Sequence, residues 1–138
     1  MLLANKTVIV TGASRGIGRA VALECAHQGA RVVIGHSGSA QGRTAAFSLM
    51  EEISGCGGHS TEVGSDPADL DTGGRLVAAA LDAFGSVDVF VNNAGICPFH
   101  SFLDMPRETY LRTVDTHLNG AYFAVQAPAN QMEKHGTG

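Results

Sequence analysis

The chain has 138 residues, 44% of them hydrophobic and 16% charged, a length and balance that suit one domain with one buried core. Its formal charge of −4 comes without any basic run, which sets nucleic acid aside as a partner. No apolar run approaches membrane-spanning length, Met1 to Lys6 turns polar too soon for a signal peptide, and the three separated cysteines (Cys25, Cys56, Cys97) fit reduced thiols, so a cytoplasmic protein is expected.

In chain order, Thr7 to Thr11 reads as a strand, apolar and β-branched almost throughout, as a strand covered on both faces should be. An amphipathic stretch from Arg19 to Gln28 follows, with Ile17, Ala20, Val21 and Cys25 on one face and Gly29 as its stop. Arg31 to Ile34 is a second strand, and Gly35 to Ser39 a polar loop. Arg43 to Ile53 is a second helix with Ala46, Met50 and Ile53 inward, closed by the run Gly55 to Gly58. Ser60 to Val63 is a short third strand. Asp69 or Asp71 can cap a third helix, whose face is Leu76, Val77, Ala80, Leu81 and Phe84. Val87 to Val91 is a fourth strand. After a loop to Met105, a helix from about Pro106 presents Leu111, Val114, Leu118, Ala121, Tyr122 and Val125 at helical spacing. Tyr122 is expected to pack in the core. Pro128 should kink or end that helix, at a cost of about 3 kcal/mol. Strands alternating with helices of a dozen residues predict right-handed crossovers and a parallel sheet.

The stretch Thr11-Gly12-Ala13-Ser14-Arg15-Gly16-Ile17-Gly18 stands between the first strand and the first helix. Glycines there allow a sharp turn and close approach of backbone to a ligand. The unpaired N–H groups of the helix start then favour an anion, and a dinucleotide pyrophosphate suits the place. The expected architecture is α/β, a doubly wound parallel sheet of the Rossmann type.

This glycine pattern, together with Asn92-Asn93-Ala94-Gly95 after the fourth strand, resembles the short-chain dehydrogenase/reductase family, in the subgroup with glycines spaced as at 12, 16 and 18. The epimerase-like subgroup spaces its last glycines differently. The resemblance runs from Lys6 to about Met132, and the loops at 34–39 and 95–106 look most like those of bacterial sugar dehydrogenases within the family. It implies reversible hydride transfer between NAD(P) and an alcohol or carbonyl. The whole chain, residues 1–138, then reads as an incomplete NAD(P)-binding domain, truncated after the fourth strand and its following helix.

The resemblance assigns cofactor contacts to Gly12, Ser14, Arg15, Ile17 and Gly18 in the first loop. It adds Ser37 after the second strand, Asp66 as acceptor from the adenine amino group, and Asn93, Ala94 and Gly95 on the nicotinamide side. An acid after the second strand would hydrogen-bond the ribose and repel a 2′-phosphate. Here that place reads His36-Ser37, and Arg15 offers a guanidinium fork. NADP is therefore the expected cofactor, with NAD accepted alongside. Asp66, Asp69 and Asp71 lack the spacing of a calcium loop, and no histidine has the spacing of a zinc ligand; no metal is expected.

The family's catalytic set is Ser, Tyr and Lys, the last two as Tyr-x-x-x-Lys, with a supporting Asn. The tyrosines here, Tyr110 and Tyr122, are followed four residues on by Val114 and Gln126. By register the supporting Asn falls on His117, and Asn119 lies about 200° away around a helix. A histidine there reads as a pH-sensitive polar group or, more simply, as a change in a copy freed of catalytic duty. No catalytic residue is expected in this chain, and no turnover by it alone. The parent enzyme is expected to bind a small-molecule substrate and to form homo-oligomers, whereas Pro128 and the missing partner helix argue against pairing by this chain. A non-catalytic remnant that binds nucleotide or a partner is the alternative, and a Rossmann-like domain of unrelated function stands third.

Overall fold

Thr7–Val10 forms β1, and all four residues are wholly buried. Four consecutive β-branched residues with no position for water leave such a strand the middle of a sheet covered on both faces. The computed structural model, which describes residues 1–138, has β1 in that position. The chain continues through α1 (Gly16–His27), β2 (Arg31–His36), α2 (Ala40–Gly55), β3 (His59–Gly64), α3 (Thr72–Phe84) and β4 (Val89–Val91). A 3₁₀ turn at Phe102–Asp104, α4 (Arg107–Val114), a π-helical turn at Asp115–Gly120 and α5 (Ala121–His135) complete it. All strand pairs are parallel, in the order β3-β2-β1-β4, which is the doubly wound α/β arrangement.

Successive strand residues point to opposite faces, so β1 feeds two cores. Val8 and Val10 join Val32, Ile34, Ala22, Ala26, Leu49 and Ile53 beneath α1 and α2. Ile9 turns the other way, to Val33, Leu76, Ala80 and Val87 on the α3 side. Each Val, Leu or Ile among them contributes about 1.5–3 kcal/mol on burial, so β1 is the strand on which both layers rest.

A buried carboxylate ties the base of β1 to the approach to β4. Asp88 accepts from the Thr7 N–H at 2.9 Å, the Lys6 ammonium at 3.2 Å and the Ser86 hydroxyl at 3.1 Å. Burial pushes this carboxyl up, but the three donors together outweigh it and hold it below the ordinary carboxylate value. Regular pairing starts at Val89 and not at the expected Val87, with the Asp88 backbone N–H bonded to the Thr7 carbonyl just before it. β4 is one of the two edge strands of the sheet, with Val89, Phe90 and Val91 only half-buried.

Helix faces depart from expectation where backbones approach closely. In α1 the buried residues are Gly18, Ala22 and Ala26, Val21 and Cys25 are only partly buried, and Ile17 is 78% exposed. The helix begins at Gly16 rather than Arg19, and its small residues let it lie close on the sheet. In the last helical stretch the inward positions are Thr116, Gly120, Ala124 and Pro128. Leu111, Leu118, Tyr122 and Val125 are exposed, and Val114 and Ala121 half-buried. The reason lies in α3. A Cβ on Gly73 would stand 2.8 Å from the carbonyl oxygens of Phe123 and Ala124, so the two helices cross at a distance that Leu or Tyr cannot enter. Tyr122 therefore points outward, its ring edge-on to Phe123.

Pro128 does not end α5, which runs on to His135. The missing N–H leaves the Ala124 carbonyl without its helical donor, and this carbonyl is one that Gly73 approaches. At the start of α3, Asp71 stands at the N-cap without a side-chain cap bond. Asp69 instead accepts from the Asp71 N–H, and the Thr72 hydroxyl donates to the Asp66 carbonyl. The second helix begins at Ala40 and not Arg43, because Ser39 caps it by accepting from the Gly42 N–H.

Asp88→Ala is expected to lower stability by about 2–3 kcal/mol, the cost of leaving buried donors unpaired. The folded carboxyl is depressed, so its contribution is present at neutral pH and lost as pH falls through the folded value, below about 4. Urea titrations across that range should show the wild-type chain losing this increment on acidification and Asp88→Ala not losing it.

Candidate nucleotide-binding site

The turn after β1 works because two of its residues adopt the left-handed region: Gly12 at φ +64° and Gly16 at φ +56°. Two glycines also make room. A Cβ on Gly12 would stand 2.9 Å from the Ala94 Cα, and one on Gly18 would overlap the Asn93 amide and the Gly12 carbonyl. The loop after β1 therefore lies directly against the loop after β4. Thr11 joins them. Its hydroxyl oxygen accepts from the N–H groups of Asn93 at 2.9 Å and Ala94 at 3.0 Å. The Asn93 side chain answers by donating to the carbonyls of Thr11 at 3.0 Å and Gly12 at 3.2 Å.

These loops floor a cleft of about 750 Å³ over the carboxyl ends of the strands, where the order reverses between β1 and β4. Gly12, Ser14, Arg15 and Ile17 line it from the first loop, Ser37 from the end of β2, and Asn93, Ala94 and Gly95 from the end of β4. Arg15 stands at the N-cap of α1 and its side chain takes no cap bond, so the first-turn N–H groups are left for a ligand. Gly18 does not line the cleft; it packs behind the loop, where its lack of a side chain lets the turn close. Asp66 stands at the rim between two lining residues, Ser65 and Pro67. Its carboxylate accepts from Arg112 at 2.6 Å and from the Ala68 N–H at 2.9 Å. The bond from Arg112 does most to hold the Asp66 carboxyl below the usual range, so it is an ionised acceptor at neutral pH.

His117 lies in the π-helical turn, with its Nε2 atom 2.7 Å from the Ile96 carbonyl oxygen and 3.1 Å from the Ile96 nitrogen. Its ring covers Gly95, where a Cβ would collide with it. Asn119 instead donates to Asp115 at 2.8 Å on the exposed side. The helical register thus brings residue 117 to the cleft loop and turns residue 119 away.

Several lining residues were not in the expected set: His36, Ser39, Thr72, Arg112 and Thr116. Ser39 had a signal, a cap residue before a helical run. Arg112 had none, since its partner Asp66 lies 46 positions away. The assembled site is rich in backbone N–H groups, has a guanidinium at its mouth and a carboxylate at its rim. Such a surface fits an elongated ligand with phosphate at its centre and an amino group at one end.

Thr11→Val keeps the shape of the side chain and leaves two N–H groups unpaired. It is expected to cost about 1–3 kcal/mol in a urea titration, while Thr11→Ser stays near wild type.

Comparison with known proteins agrees with this geometry. The short chain dehydrogenase family pattern matches residues 6–138. An L-rhamnose 1-dehydrogenase (NAD(P)(+)) of Azotobacter vinelandii is 72% identical over 138 residues, all of this chain and 54% of that protein. A second enzyme of that name from a Sphingomonas species is 50% identical, over 99% of this chain and 53% of its own length. Among solved structures, a short chain dehydrogenase from Mycobacterium avium superposes with a TM-score of 0.89 at 35% identity, covering all of this chain and 52% of the other. One from Burkholderia cenocepacia in complex with NADP gives 0.88 at 33%, over 95% and 52%. The chain spans about half the length of these relatives. With the glycine turn, the Asn93 loop and the strand order all in place, the chain belongs to the short chain dehydrogenase family.

Proposed function

We propose that the cleft binds NADP(H), with NAD(H) accepted alongside, and that this chain is the cofactor-binding portion of an oxidoreductase that acts on a sugar, L-rhamnose being the first to test. The observation that carries the reading is the contact between the glycine turn and the Asn93 loop at the strand-order reversal, beside an uncapped helix N-terminus. The names of the Azotobacter and Sphingomonas relatives supply the substrate class. When bound, the cofactor would supply the hydride acceptor or donor for an alcohol and its carbonyl.

The chain's own residues bind and orient. Gly12, Ser14, Ile17 and the α1 N-terminus take the pyrophosphate, with Gly18 allowing the turn to close. Arg15 and Ser37 take the 2′-phosphate, with no acid beside them to repel it. Asp66 accepts from the adenine amino group. Asn93, Ala94 and Gly95 support the nicotinamide side. His117 holds the Gly95-Ile96 turn through the Ile96 backbone. Neither Tyr110 nor Tyr122 has a lysine four residues on, so this segment by itself is read as binding without turnover. The second reading, a nucleotide-binding remnant without chemistry, draws on His117 standing where the family has its supporting Asn.

Titration calorimetry with NADPH and NADH tests the site. Arg15→Ala is expected to weaken NADPH about tenfold and NADH far less, because only NADPH offers the second phosphate. Equal losses on the two nucleotides would reject the 2′-phosphate assignment. Reduction of NADP by the pure chain with L-rhamnose is expected to be absent, and measurable turnover would show that the chain needs no further residues.

A further inference from the structure

We infer that Glu62 is a positioning residue: through the His36 ring it holds the turn after β2 in the shape that admits a 2′-phosphate, an assignment that rests on reading the cleft as an NADP(H) site. β2 ends at His36, whose side chain is wholly buried. Its Nδ1 atom accepts from the Gly38 N–H at 3.1 Å. An imidazole nitrogen that accepts carries no proton, so the ring proton sits on Nε2. That atom meets the Glu62 carboxylate of β3. Glu62 pairs in register with Ile34, and so reaches His36 diagonally along the same face.

The turn itself is short and built to a shape. Gly38 is left-handed at φ +77°, and a Cβ on Gly64 would stand 3.0 Å from the Gly38 Cα and 3.2 Å from the His36 ring. The His36 carbonyl accepts from the Ser65 N–H at 2.8 Å. What this frame presents to the cleft is two hydroxyls, Ser37 and Ser39, 3.0 Å apart. Ser39 in turn accepts from the Gly42 N–H and so fixes the start of α2. Glu62 does not line the cleft and is one-fifth exposed, so it acts behind the ring and not on a ligand. Without it the Nε2 proton has no buried acceptor. A ring that takes the other tautomer gives up the Gly38 N–H, and the turn that carries Ser37 loosens.

In the wild-type chain, nitrogen-resolved NMR spectra of the His36 ring are expected to show the proton on Nε2 and a bare Nδ1. A proton on Nδ1 overturns the inference with no variant needed. In titrations, Glu62→Leu is expected to cut NADPH affinity about tenfold more than NADH affinity, whereas Glu62→Gln, which keeps an acceptor, holds the wild-type ratio. Equal losses on both nucleotides, or a ratio that falls as far in Glu62→Gln as in Glu62→Leu, overturn it. A wild-type chain that binds neither nucleotide removes the cofactor reading and with it the 2′-phosphate role, and the ring spectrum still decides whether Glu62 holds His36.

Discussion

The hydroxyl of Thr11 is the point on which the cleft depends. A threonine hydroxyl offers two acceptor sites and one donor. This one spends both acceptors on backbone N–H groups of the loop after β4, some 80 positions along the chain, and its proton faces the Val91 carbonyl at 3.4 Å. The residue is 5% exposed, so water does not compete for these bonds. The Asn93 amide fastens the same two loops from the other side, and the missing side chains at Gly12 and Gly18 let them touch. A ligand entering here meets donors that are already fixed, and less of its binding free energy goes to ordering them.

Most of this arrangement was legible in the residues. Four β-branched positions in a row made β1 central, the glycine spacing located the turn, and the Asn92 to Gly95 run located its counterpart. The helix faces that differ from expectation share a cause. Size and hydrophobicity favour Leu118 and Tyr122 for the face of the last helix, but what packs there is set by backbone proximity. Thr116, Gly120, Ala124 and Pro128 are chosen by Gly73 across the interface. Ile17 stays outside the core for the same reason, since the small residues Gly18, Ala22 and Ala26 face the sheet. The roles of Arg112 and Glu62 could not be seen at all, because each depends on a partner brought near only by the completed sheet.

The two carboxylates near the cleft illustrate how surroundings divide similar groups. Asp66 and Arg112 are each nearly half exposed, and such a pair adds little to stability. Its position at the rim gives it another use: it tethers α4 to the segment before α3. Glu62 is held behind a buried ring, where its charge is turned from the cleft and its hydrogen bond shapes the turn that faces it. An acid directly on that turn would oppose a second phosphate; one placed a layer deeper can support it.

The strand order also sets a timetable for assembly. β1 finds its first neighbour 24 positions away (Thr7 with Arg31), but its second only 81 positions away (Val8 with Val89). Closing the longer loop costs about 1 kcal/mol more in chain entropy, and on a ribosome it must wait until about ninety residues have emerged. Through that interval β1 carries one bare edge, and the hydroxyl of Thr11 has no loop to hold. The nascent chain can complete its α1–α2 layer well before the ligand cleft exists.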